Sequence, residues 1–100
     1  MTDLSLDSVL AASPQQVAAV LGDEVVILGL DEGAYFGLKG VGTRIWALLQ
    51  GPVTPRVIID CVVTEFEVNR PRAEADVMAL LASLIARGLV APQSGGSPNG

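Results

Sequence analysis

Three carboxylate pairs and one thiol are the groups in this sequence whose types and spacing could do chemistry. Asp23-Glu24, Asp31-Glu32 and Glu65/Glu67 could share a proton for acid–base work or hold calcium. Each pair falls at a predicted turn or helix end, where acids are ordinary solvated residues. No further oxygen ligands follow at the spacing of a calcium loop. Cys61 is the single cysteine and lies on the apolar face of a predicted helix, beside Ile58 and Val62. In that setting it reads as a small core hydrophobe. The chain has no histidine. That excludes Ser-His-Asp and Cys-His catalysis and histidine-based zinc sites. We therefore expect no catalytic residue, no metal and no cofactor.

The 100 residues make one small domain, half of them hydrophobic. Such a domain buries only about 60–70% of its unfolded surface. The net charge is −5, from six basic residues against eleven acids. Nucleic-acid affinity rests largely on neutralising phosphates, so a chain this poor in Lys and Arg is a weak candidate for DNA or RNA binding. One cysteine cannot form an internal disulfide, and no secretory apolar region opens the chain. The expected location is a reducing cytoplasm. No apolar run approaches the roughly 20 residues of a membrane span. Asp7-Ser8-Val9 resembles the Asp-Ser-Leu of phosphopantetheine carriers. Here, however, the serine enters a predicted strand near the N-terminus, where carriers place it at the start of a helix.

The elements that must position any site follow from periodicity. Residues 1–6 are polar enough to fray. Ser8–Ala12 and Gln16–Leu21 read as short strands on either side of Ser13-Pro14, with a helix over residues 15–20 as the alternative. Glu24–Leu30 is dense in β-branched residues, the strongest strand signal in the chain. Asp31-Glu32-Gly33 is a turn, and Ala34–Leu38 returns as the partner strand. The first strand could extend this hairpin into a three-stranded meander.

After Leu38 the period becomes helical: Val41, Ile45, Leu48 and Leu49 recur, and Gly51-Pro52 ends the run. Thr54-Pro55 starts a second helix as N-cap and first helical residue. Asn69 to Pro71 opens a third, with Val77, Leu80, Leu81, Leu84 and Ile85 as its apolar stripe. Gly88 suits the position just past that helix, with Leu89-Val90 folding back onto its end. Residues 92–100 are a Ser/Gly/Pro/Asn tail, expected to be disordered. The fold class is α+β: a small antiparallel three-stranded sheet followed by three helices, in a winged helix-turn-helix-like arrangement. The domain should span residues 7–91.

A winged helix usually suggests DNA. The outward residues of the third helix (Arg72, Glu74, Asp76, Ser83 and Arg87) are nearly neutral in sum, which argues against it. Ala34-Tyr35-Phe36-Gly37-Leu38 is more informative. Alternation places Phe36 and Leu38 on one face and Tyr35 on the other. If this strand is an edge, its free N–H and C=O groups are a template for an incoming peptide. Gly37 would let a second backbone approach. The run lacks the lysine, proline or charge that normally blunts an edge.

The sequence resembles the PqqD-like family, the precursor-peptide recognition element of ribosomally made, modified peptides. The residues that carry the resemblance are Gly33-Ala34-Tyr35-Phe36-Gly37-Leu38, Gly42-Thr43-Arg44-Ile45-Trp46, Leu49 and Pro52-Val53-Thr54. They continue through Phe66-Glu67-Val68, Asp76-Val77, Leu80-Leu81, Leu84 and Gly88-Leu89-Val90. The family commonly has Asn where this chain has Lys39, so the cap of the first helix should differ. The Tyr-Phe-Gly-Leu and Ile-Trp forms are closer to the stand-alone leader-binding proteins of lasso-peptide pathways.

The resemblance implies a non-catalytic domain that binds the leader of a precursor peptide as an added antiparallel strand. Carried onto this sequence, the strand is Ala34, Tyr35, Phe36, Gly37 and Leu38. The facing helical row is Asp76, Leu80, Ser83 and Arg87, at three- and four-residue steps. The implied partners are a cysteine-protease-like leader peptidase and an ATP-dependent macrocyclase. The acidic surface would favour a leader carrying Lys or Arg. Two alternatives remain open: a precursor chaperone for a radical enzyme of the PQQ type, and a winged-helix DNA-binding regulator.

Overall fold

The computed structural model describes residues 4–14, 16–30 and 35–93. Eight elements follow in chain order: β1 (Leu10–Ala12), β2 (Gln16–Leu21), β3 (Glu24–Gly29), β4 (Tyr35–Lys39), α1 (Val41–Leu48), α2 (Pro55–Phe66), α3 (Arg70–Ala86) and β5 (Val90–Pro92). β2, β3 and β4 form an antiparallel sheet in that spatial order, and β1 pairs with β5 in a second, two-stranded sheet. The three-stranded sheet and the three helices after it are the α+β arrangement expected from the sequence.

Local chemistry explains the elements. Gly22, with φ +67°, supplies the left-handed turn that joins β2 to β3. That pairing, from Gln16↔Gly29 to Leu21↔Glu24, decides for a strand over residues 16–21 against the helical alternative. At the start of α2 the Thr54 hydroxyl accepts the Val57 N–H, and Pro55 takes the first helical position. At the start of α3 the Asn69 side chain accepts the Arg72 N–H at 2.9 Å. Gly88 has φ +75°, and beyond it the Leu89 N–H donates to the Leu84 carbonyl, the fold-back foreseen at that end.

The core lies where the helices meet the inner sheet face. Alternation along β3 turns Val25 and Ile27 inward, and β4 adds Leu38. Against them pack Ile45 and Trp46 of α1, Ile58, Ile59 and Val62 of α2, and Ala73, Val77, Leu81 and Leu84 of α3.

β1 departs from the expected meander. Ser13-Pro14 turns the chain away, the Ser13 N–H donating to the Leu89 carbonyl at 2.9 Å. Leu10, fully buried, exchanges backbone hydrogen bonds with Val53, and the Ala12 N–H reaches the Leu49 carbonyl at 2.7 Å. β1 therefore ties together the end of α1, the α1–α2 connection and the strand after α3. Contacts also run past both expected domain boundaries. Leu4 and Leu6 pack on the core, and the Leu6 carbonyl accepts the Arg56 N–H. Pro92, assigned to the tail from its composition, closes β5, and the Gln93 N–H donates to the Val9 carbonyl. Residues 94–100, the rest of that tail, lie outside the described residues, as do the 31–33 turn and Ala34.

Two predictions follow from these contacts. Ile27→Ala removes a fully buried side chain at the sheet–helix junction, and should cost about 2–5 kcal/mol in urea denaturation. The second concerns the N-terminal segment, where Arg56 makes a two-pronged ion pair with Asp7. The hydrogen bond and the charge of Arg56 hold the Asp7 carboxyl below its ordinary value of 3.8. A depressed carboxyl stabilises the fold above its unfolded-state pKa, and the benefit disappears as pH falls through the folded-state value. Protection factors of the amides near Asp7, measured relative to the intrinsic exchange rate at each pH, should therefore stay constant from neutral pH down to about pH 4 and fall below it. Asp7→Asn should show the lowered protection already at neutral pH.

Candidate functional site

β4 pairs with β3 along one side, from Glu24↔Lys39 to Leu28↔Tyr35. Along the other side no strand pairs with it among the described residues. Half of its backbone N–H and C=O groups therefore point to an open edge. Leu38 is buried on the inner face and Phe36 half-buried beside it, while Tyr35 (71% exposed) and Gly37 lie on the outer face. That is the alternation expected from the sequence. On the outer face the Glu24 carboxylate leans over Gly37, within 3.3 Å of where a Cβ would stand.

The helical side of the site is assembled from two elements. Arg87, at the C-terminus of α3, places its guanidinium 5.2 Å from the centre of the Phe36 ring. This cation–π contact joins the far end of the helix to the strand. At the other end, a cavity of about 210 Å³ opens between α1 and α3, with Val41, Gly42, Ile45, Asp76, Val77 and Leu80 among its lining residues. Its wall is apolar except for Asp76, whose carboxylate pairs with Arg72 one turn earlier. Ser83 is exposed between these two regions and lines neither.

The four α3 residues singled out from spacing are thus divided by the fold. Asp76 and Leu80 belong to the cavity, and Arg87 belongs to the Phe36 contact. Val77, expected to face the core, is buried and also lines the cavity.

The contribution of α1 was missed from sequence. Gly40, with φ +57°, ends β4 and is the N-cap, so neither Lys39 nor an asparagine-like side chain caps the helix. Thr43 closes this turn by donating from its hydroxyl to the Gly40 carbonyl at 2.7 Å. Gly42 then lets α1 approach, since a Cβ there would stand 3.2 Å from the Leu38 side chain. Two glycines within three residues after a strand were the available signal.

A second groove of about 480 Å³ lies between β2, β3 and α1, bordered by Ala18, Val20, Val25 and Trp46. It is larger, but it does not touch β4 or α3. No group of His, Cys, Asp and Glu suited to a metal ion occurs among the described residues. Cys61 is a half-buried thiol without a disulfide partner. No helix of the described residues is long and apolar enough to cross a membrane.

An open strand beside an apolar helical wall defines a winged-helix-like domain equipped to receive a peptide. The chain belongs to the PqqD family: the family described as coenzyme PQQ synthesis protein D (PqqD) matches residues 24–90, from the start of β3 into β5. Two solved structures are similar to it. One is TbiB1 in complex with the TbiA(beta) leader peptide, 41% identical, with a TM-score of 0.75 over 80% of this chain and 93% of that one. The other is a lasso peptide synthetase B1 complexed with the leader peptide, 28% identical, with a TM-score of 0.73 over 83% and 98% of the two chains. None of the curated proteins matches the chain.

The geometry predicts the exchange behaviour of β4 without any ligand. Amides bonded to β3 should be protected, and alternate ones facing the open edge should exchange quickly. Hydrogen exchange read residue by residue should show this two-residue period. Uniform protection from Tyr35 to Lys39 would mean that the edge is covered.

Proposed function

We propose that this protein binds the leader region of a ribosomally made precursor peptide and presents it to processing enzymes in lasso-peptide biosynthesis. The observation that carries the reading is an unpaired β4 edge in a chain 41% identical to a protein solved with a leader peptide. The leader adds antiparallel to Tyr35, Phe36, Gly37 and Leu38; Ala34, the remaining residue of the expected binding strand, lies outside the described residues. Its side chains on one face meet Leu80, Asp76 and the α1–α3 cavity. Those further along meet Ser83, Arg87 and the Phe36 ring.

Energetics divide the labour between backbone and side chains. A five-residue strand makes about four main-chain hydrogen bonds, each worth roughly 0.5–1.5 kcal/mol net. Association itself costs about 4–15 kcal/mol, so backbone pairing alone cannot give micromolar affinity. Two or three buried leader side chains, at roughly 1.5–3 kcal/mol each, supply the difference. Pairing sets the register, and the apolar wall selects the peptide.

The protein itself is non-catalytic in this reading. A cysteine-protease-like peptidase removes the leader and an ATP-dependent macrocyclase closes the product, in the cytoplasm. The net charge of −5 favours a leader with Lys or Arg near its binding segment. The family's description favours a second reading, in which the same edge serves a precursor in coenzyme PQQ synthesis.

Fluorescence anisotropy with labelled leader peptides tests the proposal and separates the two pathways. A lasso-precursor leader should bind and a PQQ-precursor peptide should not, and the reverse would favour the second reading. Phe36→Asp and Leu80→Asp should each weaken leader binding at least tenfold, about 1.4 kcal/mol, while circular dichroism shows an intact fold. Full affinity in both folded variants would place the groove elsewhere.

A further inference from the structure

The sheet has a second edge, β2, with which no further strand pairs among the described residues, and the leader-binding reading leaves it unused. β2 is the outer strand opposite β4. Five of its six residues, Val17 to Leu21, are exposed, with Val20 at 71%, Leu21 at 60% and Val17 at 55%. It also lacks the charge that normally blunts an edge, since no charged residue occurs from Ser8 to Gly22.

We propose that β2 is a self-pairing edge, through which two copies of this chain join antiparallel about a two-fold axis at Ala19. The register follows from symmetry. Residues directly opposite each other in an antiparallel pair point to the same sheet face. A two-fold axis relating identical strands must therefore pass between a residue and its own copy. With the axis at Ala19, Val17 of one copy faces Leu21 of the other, and Ala18 faces Val20. Every pair from Val17 to Leu21 is then apolar on both faces. Moving the axis to Ala18 would set Gln16 against Val20 and carry Leu21 past the paired strand.

Charge and space agree with this register. Each copy carries −5, but its nearest acids, Asp23 and Glu24, lie beyond the turn. There Gly22 faces the neutral Gln16 of the other copy, so no carboxylates oppose one another across the strands. On the inner face, Ala18 and Val20 border the 480 Å³ groove in front of Trp46. The second copy's Val20 thus meets Ala18 on the apolar side of this groove, whose border also includes Asp23, Glu24, Thr43 and Gln50.

A five-residue strand contact lies below the roughly 1,000 Å² of a permanent interface, so the dimer is weak and concentration-dependent. Both β4 edges stay at the outer ends of the resulting six-stranded sheet, free to bind leader.

Sedimentation equilibrium over a hundredfold range of protein concentration tests this. The wild-type mass should rise from monomer towards dimer. Ala19→Lys and Ala19→Glu should each remain monomeric at the highest concentration, because the axis sets like charges against each other. An equimolar mixture of the two should recover the dimer, since Lys then faces Glu. Circular dichroism and unchanged leader affinity establish that both variants fold. A wild type that stays monomeric throughout would overturn the proposal, as would a mixture no heavier than its components. If the wild type stays monomeric while Ala19→Lys loses binding to a processing enzyme, the edge serves that partner instead.

Discussion

Three helices can cover one face of a three-stranded sheet, and in this chain they cover no more than that. The inward row of Val25, Ile27 and Leu38 shares one core with side chains of α1, α2 and α3, and this packing removes Trp46 and the buried aliphatic side chains from water. No second layer of helices is available among the described residues. The outer face, with Val17, Leu28 and Tyr35 partly exposed, and both sheet edges stay open as a consequence. Closure into a barrel would have removed those edges. Incomplete burial in a small domain is thus the physical origin of its vacant strand edges.

The N-terminal segment turns this open arrangement into a defined groove. Leu10 and its neighbours bond to Val53, Leu49 and the strand after α3, and so hold the helix ends together. With the end of α3 fixed, Arg87 lies over Phe36. The start of α1 is held by a different device, the close approach of Gly42 to Leu38. Strand, first helix and third helix are therefore locked relative to one another before any peptide arrives. A preformed groove spares the ordering cost that a flexible one would incur on binding.

The two open edges differ in their surroundings, and this suits them to different partners. β4 has a helical wall, a cation over its aromatic ring and an apolar cavity close by. Such an edge can discriminate among peptides by their side chains. β2 stands clear of α3, is exposed on both faces and carries no charge. It offers pairing with little selection beyond apolar complementarity, the condition under which a strand best matches its own copy.

Much of this was legible in the sequence because the signals were local. The β-branched run of β3, the Thr54-Pro55 and Asn69 helix starts, and the Gly88 terminus each act through neighbouring residues. The Phe36/Leu38 alternation is likewise a property of one strand. Which strands pair could not be read the same way. Pairing of β1 with β5 joins residues some eighty positions apart, and three-residue strands carry almost no periodic signal of their own. The site was legible in its strand and incomplete in its helices. Spacing alone placed Asp76, Leu80, Ser83 and Arg87 on one row, while the fold divides that row between the α1–α3 cavity and the Phe36 contact. Propensity and periodicity determined which elements form. The packing of distant apolar faces alone decided which edge stays vacant and what stands beside it, because burial is a property of the whole assembled chain.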